Sequence, residues 1–379
     1  MIDPAFHQIH LPGPVEEAGF AYGRACGDLL RGGRIDRYLR DMMALKRTDP
    51  DQLAMHAEAW ACRLPLHYQR QMHAMAHGAA VPATRVQQFL YADIAVPAGT
   101  PVAGAQPLVS ADGPMCSGVV VHDPDPWVAR NCDWYQATLQ RGTAAVFHAV
   151  PHRIPCVALG LMGDIDADTG MNAEGLWLHM HTLQAADEPR AGVSCISWLF
   201  WMREALETCS NLHEVQTFIE RTDRDRGVLL FAVDGRRGES AIFECSRSGF
   251  RVVEPWPLAG RSTLVATNHA QTKHPSPDEA MERGRRVGGN GTISRWCRLQ
   301  AALHDSADQS PQPDNLMALL ADEGVEMRPG RGSEALRTIY AAVAMPSRHR
   351  VWFASGACPA ASEGTWRAIR MPWATDATA

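Results

Sequence analysis

Hydrophobic and polar positions change rhythm once along this chain, near residue 115. Upstream, residues 14–90 carry apolar side chains at three- and four-residue intervals, which predicts helices. The run "PVEEAGFAYGRACGDLLRGGRIDRYLRDMMAL" opens with acidic residues, as a helix start should, and Gly32 and Gly33 predict a break within it. Further helical segments are expected over about Asp51–His77 and Ala83–Asp93. Residues 96–115, "VPAGTPVAGAQPLVSADGPM", are rich in Pro, Gly and Ala without a period, and read as a linker.

Downstream, "SGVVVHD", "WVARNCDW" and "AAVFHAV" are short, rich in β-branched residues and bounded by Asp, Pro and Gly. They predict consecutive antiparallel strands. "GMNAEGLWLHMHTL" predicts a turn and a strand, and "CISWLFWMREALETC" a strongly apolar helix. Asn211, with Glu214 three residues later, predicts the capped start of the next helix. "GVLLFAVDGRRGESAIFECSRSGFRVVEPW" reads as a meander turning at Asp234–Gly238. "STLVATNHA" is a strand ending at Asn268. Helices near 293–304 and 313–323 and a hairpin in "TIYAAVAMPSRHRVWFASG" complete the pattern. This order predicts an α+β protein with helices layered on antiparallel sheets.

Composition sets limits on function. The 379 residues are 46% hydrophobic and 21% charged, with a net charge of −6. That allows a sizeable core and gives no basic face for nucleic acid. Lysine occurs only at Lys46 and Lys273, so Arg carries the positive charge. No start resembling a signal peptide and no run of about 18 apolar residues is present, which predicts a cytoplasmic protein without membrane insertion. The 10 cysteines include no C-x-x-C pair, so a zinc site of ordinary spacing is not expected and the thiols are read as reduced.

Chemistry concentrates around "MCSGVVVHDPDPWVARNCDW", residues 115–134. Cys116 begins one strand. Arg130 and Asp133 end the next, on opposite faces unless the strand ends or bulges there. Cys132 reads as core. His179 and His181 share a strand face but lack a carboxylate or cysteine pair to complete a metal set. A papain-like pair of Cys116 with His269 is the other arrangement the residue types allow, but it leaves Arg130 and Asp133 unexplained.

Several motifs carry a family resemblance in order along the chain: "EEAGFAYGRACGDLL" and "MHAMAHGAAVPATRVQQFLYADI" upstream, then "CSGVVV", "ARNCDW", "TGMNAEGLWL", "LVATNH" and "SRWCRL". Together they resemble the N-terminal-nucleophile hydrolases of the penicillin acyltransferase type, which are related to choloylglycine hydrolases and acid ceramidase-like amidases. The resemblance implies a four-layer αββα sandwich over residues 116–379, preceded by a helical propeptide segment over 1–115. It implies self-cleavage between Met115 and Cys116, after which the thiol and new α-amine of Cys116 act as nucleophile and base. An unperturbed α-amine titrates at about 7.7–8.0, suited to that task.

Arg130 would then favour the thiolate, Asp133 would hold the α-ammonium, Asn268 would donate to an oxyanion, and Arg295 would line the pocket. Arg298, one turn on, is the alternative to Arg295. Trp134, Tyr135 and Trp177 either line an acyl pocket or pack the core. The implied substrate is a small-molecule carboxamide, with no cofactor or metal, and hydrolysis is preferred to transfer. The basic stretch 282–289, with Arg283, Arg285 and Arg286, is read as a loop, either near the pocket rim or simply solvated, the second being the commoner case. Where relatives commonly carry Asp-Gly before the nucleophile, this chain inserts Pro114 and Met115. An uncleaved binding protein of the same fold and a lipid amidase therefore stay open as alternatives, as do homo-oligomers of the processed pair.

Overall fold

The computed structural model describes residues 6–94, 115–185, 187–286, 291–329 and 336–374. The first described element is a strand, β1 (Phe6–Pro12), which the sequence pattern did not announce. Only Leu11 in it is buried, so its alternation is nearly silent. Six helices follow: α1 (Val15–Ala25), α2 (Gly27–Arg31), α3 (Gly33–Lys46), α4 (Pro50–Ala61), α5 (Leu66–Ala79) and α6 (Ala83–Ile94). The break expected at Gly32 is present, with a second at Cys26. The single segment expected over Asp51–His77 is two helices, because Pro65 precedes a new start. The 96–114 part of the expected linker lies outside the described residues.

Met115 is already strand. β2 (Met115–His122) and β3 (Pro126–Tyr135) form an antiparallel hairpin. The expected third strand, β4 (Thr143–Ala149), does not continue it. A 3-10 turn over Gln136–Arg141, closed by Gly142 at φ 82°, carries the chain to a second sheet. There β4 runs parallel to β1 and antiparallel to β5 (Cys156–Leu161). Next come β6 (Thr169–Asn172), β7 (Leu176–Leu183), the short β8 (Cys195–Ile196), helices α7 (Trp198–Thr208) and α8 (Leu212–Arg221), and β9 (Asp223–Arg224). Asn211 caps α8 by accepting from Glu214 N at 3.0 Å. The Glu214 carboxylate reaches back to Ser210 N at 2.7 Å.

The meander is β10 (Gly227–Asp234), β11 (Glu239–Cys245) and β12 (Phe250–Val253), followed by β13 (Trp256–Leu258) and β14 (Arg261–Ala266). Helices α9 (Pro277–Arg285), α10 (Thr292–Asp305) and α11 (Pro313–Leu320) lead to β15 (Leu336–Met345), β16 (Arg350–Ser355), α12 (Ala360–Glu363) and β17 (Thr365–Ile369).

The strands form two main sheets, ordered β1-β4-β5-β6-β7-β10-β11-β12 and β13-β14-β2-β3-β15-β16-β17. Along β2 and β3 alternate residues part company. Val120, Val128 and Ala342 join the core shared with the first sheet, while Val119, Ala129 and Val343 pack under Trp296, Leu299 and Leu320 of α10 and α11. The fold is an α+β sandwich of two large sheets with helices on their outer sides, preceded by the helical segment. That segment is built into the same core through Tyr22, Tyr38, Met72 and Phe89. Tyr22 Oη also accepts from Gly163 N at 2.7 Å. Among the described residues, no helix is long and apolar enough to cross a membrane.

Candidate active site

Hairpin register arranges the site. Cys116 stands opposite Cys132, Gly118 opposite Arg130, and Met115 opposite Asp133. Directly opposed residues share a face and neighbours alternate. Cys116, Arg130 and Cys132 therefore look into the space between the sheets, while Ser117, Asn131 and Asp133 look toward α10 and α11. Arg130 and Asp133 thus lie on opposite faces.

On the inner face, Arg130 Nη2 is 3.7 Å from Cys116 Sγ, and the thiol lies 3.8 Å from the Met180 carbonyl. The same Nη2 donates to Asp168 Oδ2 at 3.2 Å. Nη1 donates to the Asp168 carbonyl and to Thr169 Oγ1. Tyr340 Oη donates to Asp168 Oδ1 at 2.5 Å, and Cys132 Sγ approaches Asp168 Oδ2 at 3.6 Å. Arg130 is fully buried, and this ring of acceptors holds its guanidinium against the thiol.

Burial pushes the Cys116 thiol up. The hydrogen bond from Cys132 and the Arg130 charge outweigh it, so the net shift is below the ordinary thiol value. Cys132 goes the other way: burial, its bond to Cys116 and the Asp168 carboxylate push it well up. Cys132 belongs to the core, as its strand position predicts. It is also part of the thiol's immediate surroundings.

On the outer face, Arg295 of α10 is fully buried. Its Nη1 donates to the Cys116 carbonyl at 2.5 Å and to Ser117 Oγ at 2.7 Å, and its Nη2 to Asn268 Oδ1 at 3.0 Å. Asp133 Oδ2 lies 3.6 Å from Arg295 Nη1, and Oδ1 accepts from Thr338 Oγ1 at 2.6 Å. Burial pushes the Asp133 carboxyl up to about 6, although Arg295 and Thr338 pull against it. Asn268 follows β14, with its backbone N–H bonded to Thr292 Oγ1 at 2.8 Å. Its Oδ1 accepts from Cys116 N at 2.7 Å, and its Nδ2 donates to Thr182 O at 3.0 Å. Arg298 points elsewhere, onto Asp322 with bonds of 2.9 and 2.5 Å.

The remaining candidates divide. Trp134 lines a mostly apolar cavity with Cys132, Asp168, Trp198, Ile339 and Tyr340. Tyr135 is half-buried beneath Lys46, whose Nζ is 5.5 Å from the ring centre. Trp177 is fully buried, donates to His179 Nδ1 at 2.8 Å, and is not among the cavity residues. His181 Nδ1 is 2.8 Å from the Thr267 carbonyl, and burial holds both histidines well below their usual range. His269 bonds Thr267 and Thr292. Among the described residues, no three His, Cys, Asp or Glu side chains gather as a metal site.

The described part of stretch 282–289 is not the loop expected. Arg283 and Arg285 belong to α9, and together with Arg286 they pair with Glu279, Asp305 and Glu282; residues 287–290 lie outside the described residues. Asp168, Thr169, Tyr340 and Thr182 were missed by sequence reasoning. They come from other strands or the adjoining loop, and no spacing ties them to Arg130 or Asn268.

The chain thus combines a two-sheet α+β sandwich with a buried thiol near the start of an inner strand, beside an arginine. The sequence model described as "Acyl-coenzyme A:6-aminopenicillanic acid acyl-transferase" matches residues 121–358, more than half of the chain, and the protein belongs to that family. The match begins just beyond Cys116. A search of curated proteins gives no significant match.

Among solved structures, the chain is similar to a variant of the conjugated bile acid hydrolase from Clostridium perfringens, at 14% identity and a TM-score of 0.47, covering 68% of this chain and 98% of that one. It is also similar to penicillin V acylase from Agrobacterium tumefaciens, at 15% identity and a TM-score of 0.48, covering 68% and 86%. A third similarity is to the Caenorhabditis elegans ortholog of N-acylethanolamine-hydrolyzing acid amidase, at 15% identity and a TM-score of 0.44, covering 61% and 93%.

Proposed function

We propose that the protein is a self-processing thiol amidohydrolase in which Cys116 acts first on its own peptide bond and then on a small-molecule carboxamide. One observation carries the reading: side chains from the partner strand, from the end of β14 and from α10 converge on Cys116. Arg130 meets the thiol, Asn268 takes the N–H, and Arg295 donates to the carbonyl.

In processing, the Cys116 thiolate attacks the Met115 carbonyl carbon. The C–N bond breaks as the acyl group passes to sulfur, and the nitrogen takes a proton to become the α-amine. Water then hydrolyses the thioester, leaving a carboxylate on Met115 and a free thiol on Cys116. Asp133 Oδ2, buried without a hydrogen-bond donor, is the group that would receive the new ammonium. The two pieces would stay together, since β1 pairs with β4 along seven residues and the helical segment shares the core.

In turnover, the thiolate attacks the substrate carbonyl and the α-ammonium gives its proton to the departing amine. Water, deprotonated by the α-amine, resolves the acyl-Cys116 thioester to an acid. Hydrolysis is favoured over transfer because Arg283, Arg285 and Arg286 are each engaged by a carboxylate and do not form an open cradle for a polyphosphate donor.

Mass spectrometry of the purified protein tests the first half. Two fragments meeting at Met115–Cys116 are expected, and one intact chain from Cys116→Ala. An intact wild-type chain, or turnover by Cys116→Ala at the wild-type rate, would overturn the reading.

A further inference from the structure

We infer that Cys116 and Cys132 form a reversible oxidation site, closing to a cross-strand disulfide that takes the nucleophile out of use. The two residues are direct partners in the antiparallel β2–β3 register. Directly opposed residues in such a pair have Cα atoms about 4.5–5.5 Å apart, inside the roughly 4.4–6.8 Å that disulfides span. Both side chains lie on the inner face of the hairpin, opposite one another across its two strands. Every cysteine is free, and the strands on either side, β14 and β15, leave the hairpin no partner change to make for the bond to close.

The two thiols are unequal in the way such chemistry needs. Arg130 lies against Cys116 and favours its thiolate, while burial and the Asp168 carboxylate at 3.6 Å push the Cys132 thiol up. With hydrogen peroxide as oxidant, the Cys116 thiolate attacks one peroxide oxygen. The O–O bond breaks, hydroxide leaves, and Cys116 becomes a sulfenic acid. Cys132 sulfur then attacks the sulfenic sulfur, the S–O bond breaks, and the Cys132 proton departs with the oxygen as water. Without Cys132 nothing adjacent resolves the sulfenic acid, and more peroxide carries it to sulfinic acid. The pairing rests on register alone, while its effect on activity rests on the function proposed above.

The test treats purified wild-type protein with graded hydrogen peroxide, blocks free thiols by alkylation and maps peptides without reduction. A linked peptide joining Cys116 to Cys132, two hydrogens lighter than the free pair, is expected to rise as amidase activity falls. Dithiothreitol should reverse both. In Cys132→Ala, peroxide should give Cys116 sulfinic acid and a loss of activity that dithiothreitol does not repair. Sulfinic acid forming on wild-type Cys116 as fast as in Cys132→Ala, with no linked peptide, would overturn the inference; the wild-type map decides this even if the variant does not fold. A linked peptide in a protein without amidase activity would sink the proposed function and leave the pairing standing.

Discussion

Arg295 and Asp133 lie 3.6 Å apart, both wholly buried, on the side of the β2–β3 hairpin away from the thiol. The hairpin therefore separates two kinds of control. Arg130 acts on sulfur from the inner face. On the outer face and at the strand end, Arg295 and Asn268 bond the backbone of the same cysteine, and Asp133 faces Arg295. Each can be tested separately.

Arg130→Met should raise the pH midpoint for alkylation of Cys116 and slow that reaction at pH 7 by about ten-fold for each unit of upward shift. Asp168 would be left without its buried cation, so a loss of about 3–5 kcal/mol in stability should accompany it. Iodoacetamide labelling resolved by peptide mapping separates Cys116 from exposed Cys62. An unchanged profile would detach Arg130 from the thiol.

Asp133 should leave a signature in stability against pH. Its folded-state value, pushed up to about 6, is above the ordinary 3.8, so the fold favours the neutral form. That contribution is fully present below about pH 4 and is lost as pH rises to about 6, by an amount on the order of 3 kcal/mol. Asp133→Asn cannot titrate. In the uncut Cys116→Ala chain, where no new ammonium faces Asp133, the melting temperature minus that of the chain also carrying Asp133→Asn should therefore fall between pH 4 and 6 and stay level above. A difference that is constant across the whole range would mean an ordinary carboxyl.

Asn268→Ala should lower turnover by about 100-fold or more. It also leaves the Cys116 N–H and one Arg295 N–H without their acceptor, costing about 1–3 kcal/mol. Steady-state kinetics beside a thermal melt should show a kinetic loss much larger than the stability loss. Wild-type turnover would reduce Asn268 to a structural residue.

Gly118→Ala tests the packing behind the thiol. An added Cβ would stand 2.8 Å from His179 Nε2 and 2.9 Å from the His181 ring, and His179 is stacked on Phe231 at 4.3 Å between ring centres. The rings have little room to move, and overpacking of this kind costs about 1–3 kcal/mol. Calorimetry should register a lower melting temperature. A gain in stability would show that the histidines yield freely.

A competing amine separates hydrolysis from transfer, since both proceed through acyl-Cys116. Product analysis by chromatography should show free acid unaffected by the amine. A new amide growing with amine concentration at the expense of acid would move the assignment to acyl transfer.

By itself, the sequence determined most local structure, because periodicity, Pro65, Gly32 and the Asn211 cap act over a few residues. It also singled out Cys116, Arg130, Asp133, Asn268 and Arg295, through motifs whose order along the chain is visible without a structure. β1 escaped notice because an edge strand with one buried side chain has almost no alternation to read. Alternation likewise identifies β4 as a strand but says nothing of which sheet it joins.

Tertiary structure alone decided what those residues touch. The hairpin register put Cys132 against Cys116 and divided Arg130 from Asp133. The return of β15 brought Tyr340 onto Asp168, and of two arginines one turn apart it was helix packing that turned Arg295 inward and gave Arg298 to Asp322. The physical reason is the range of the forces. Capping and turns are settled within a few residues. The partner of a buried charge is settled by whichever strand or helix the hydrophobic core brings beside it, often more than a hundred positions away.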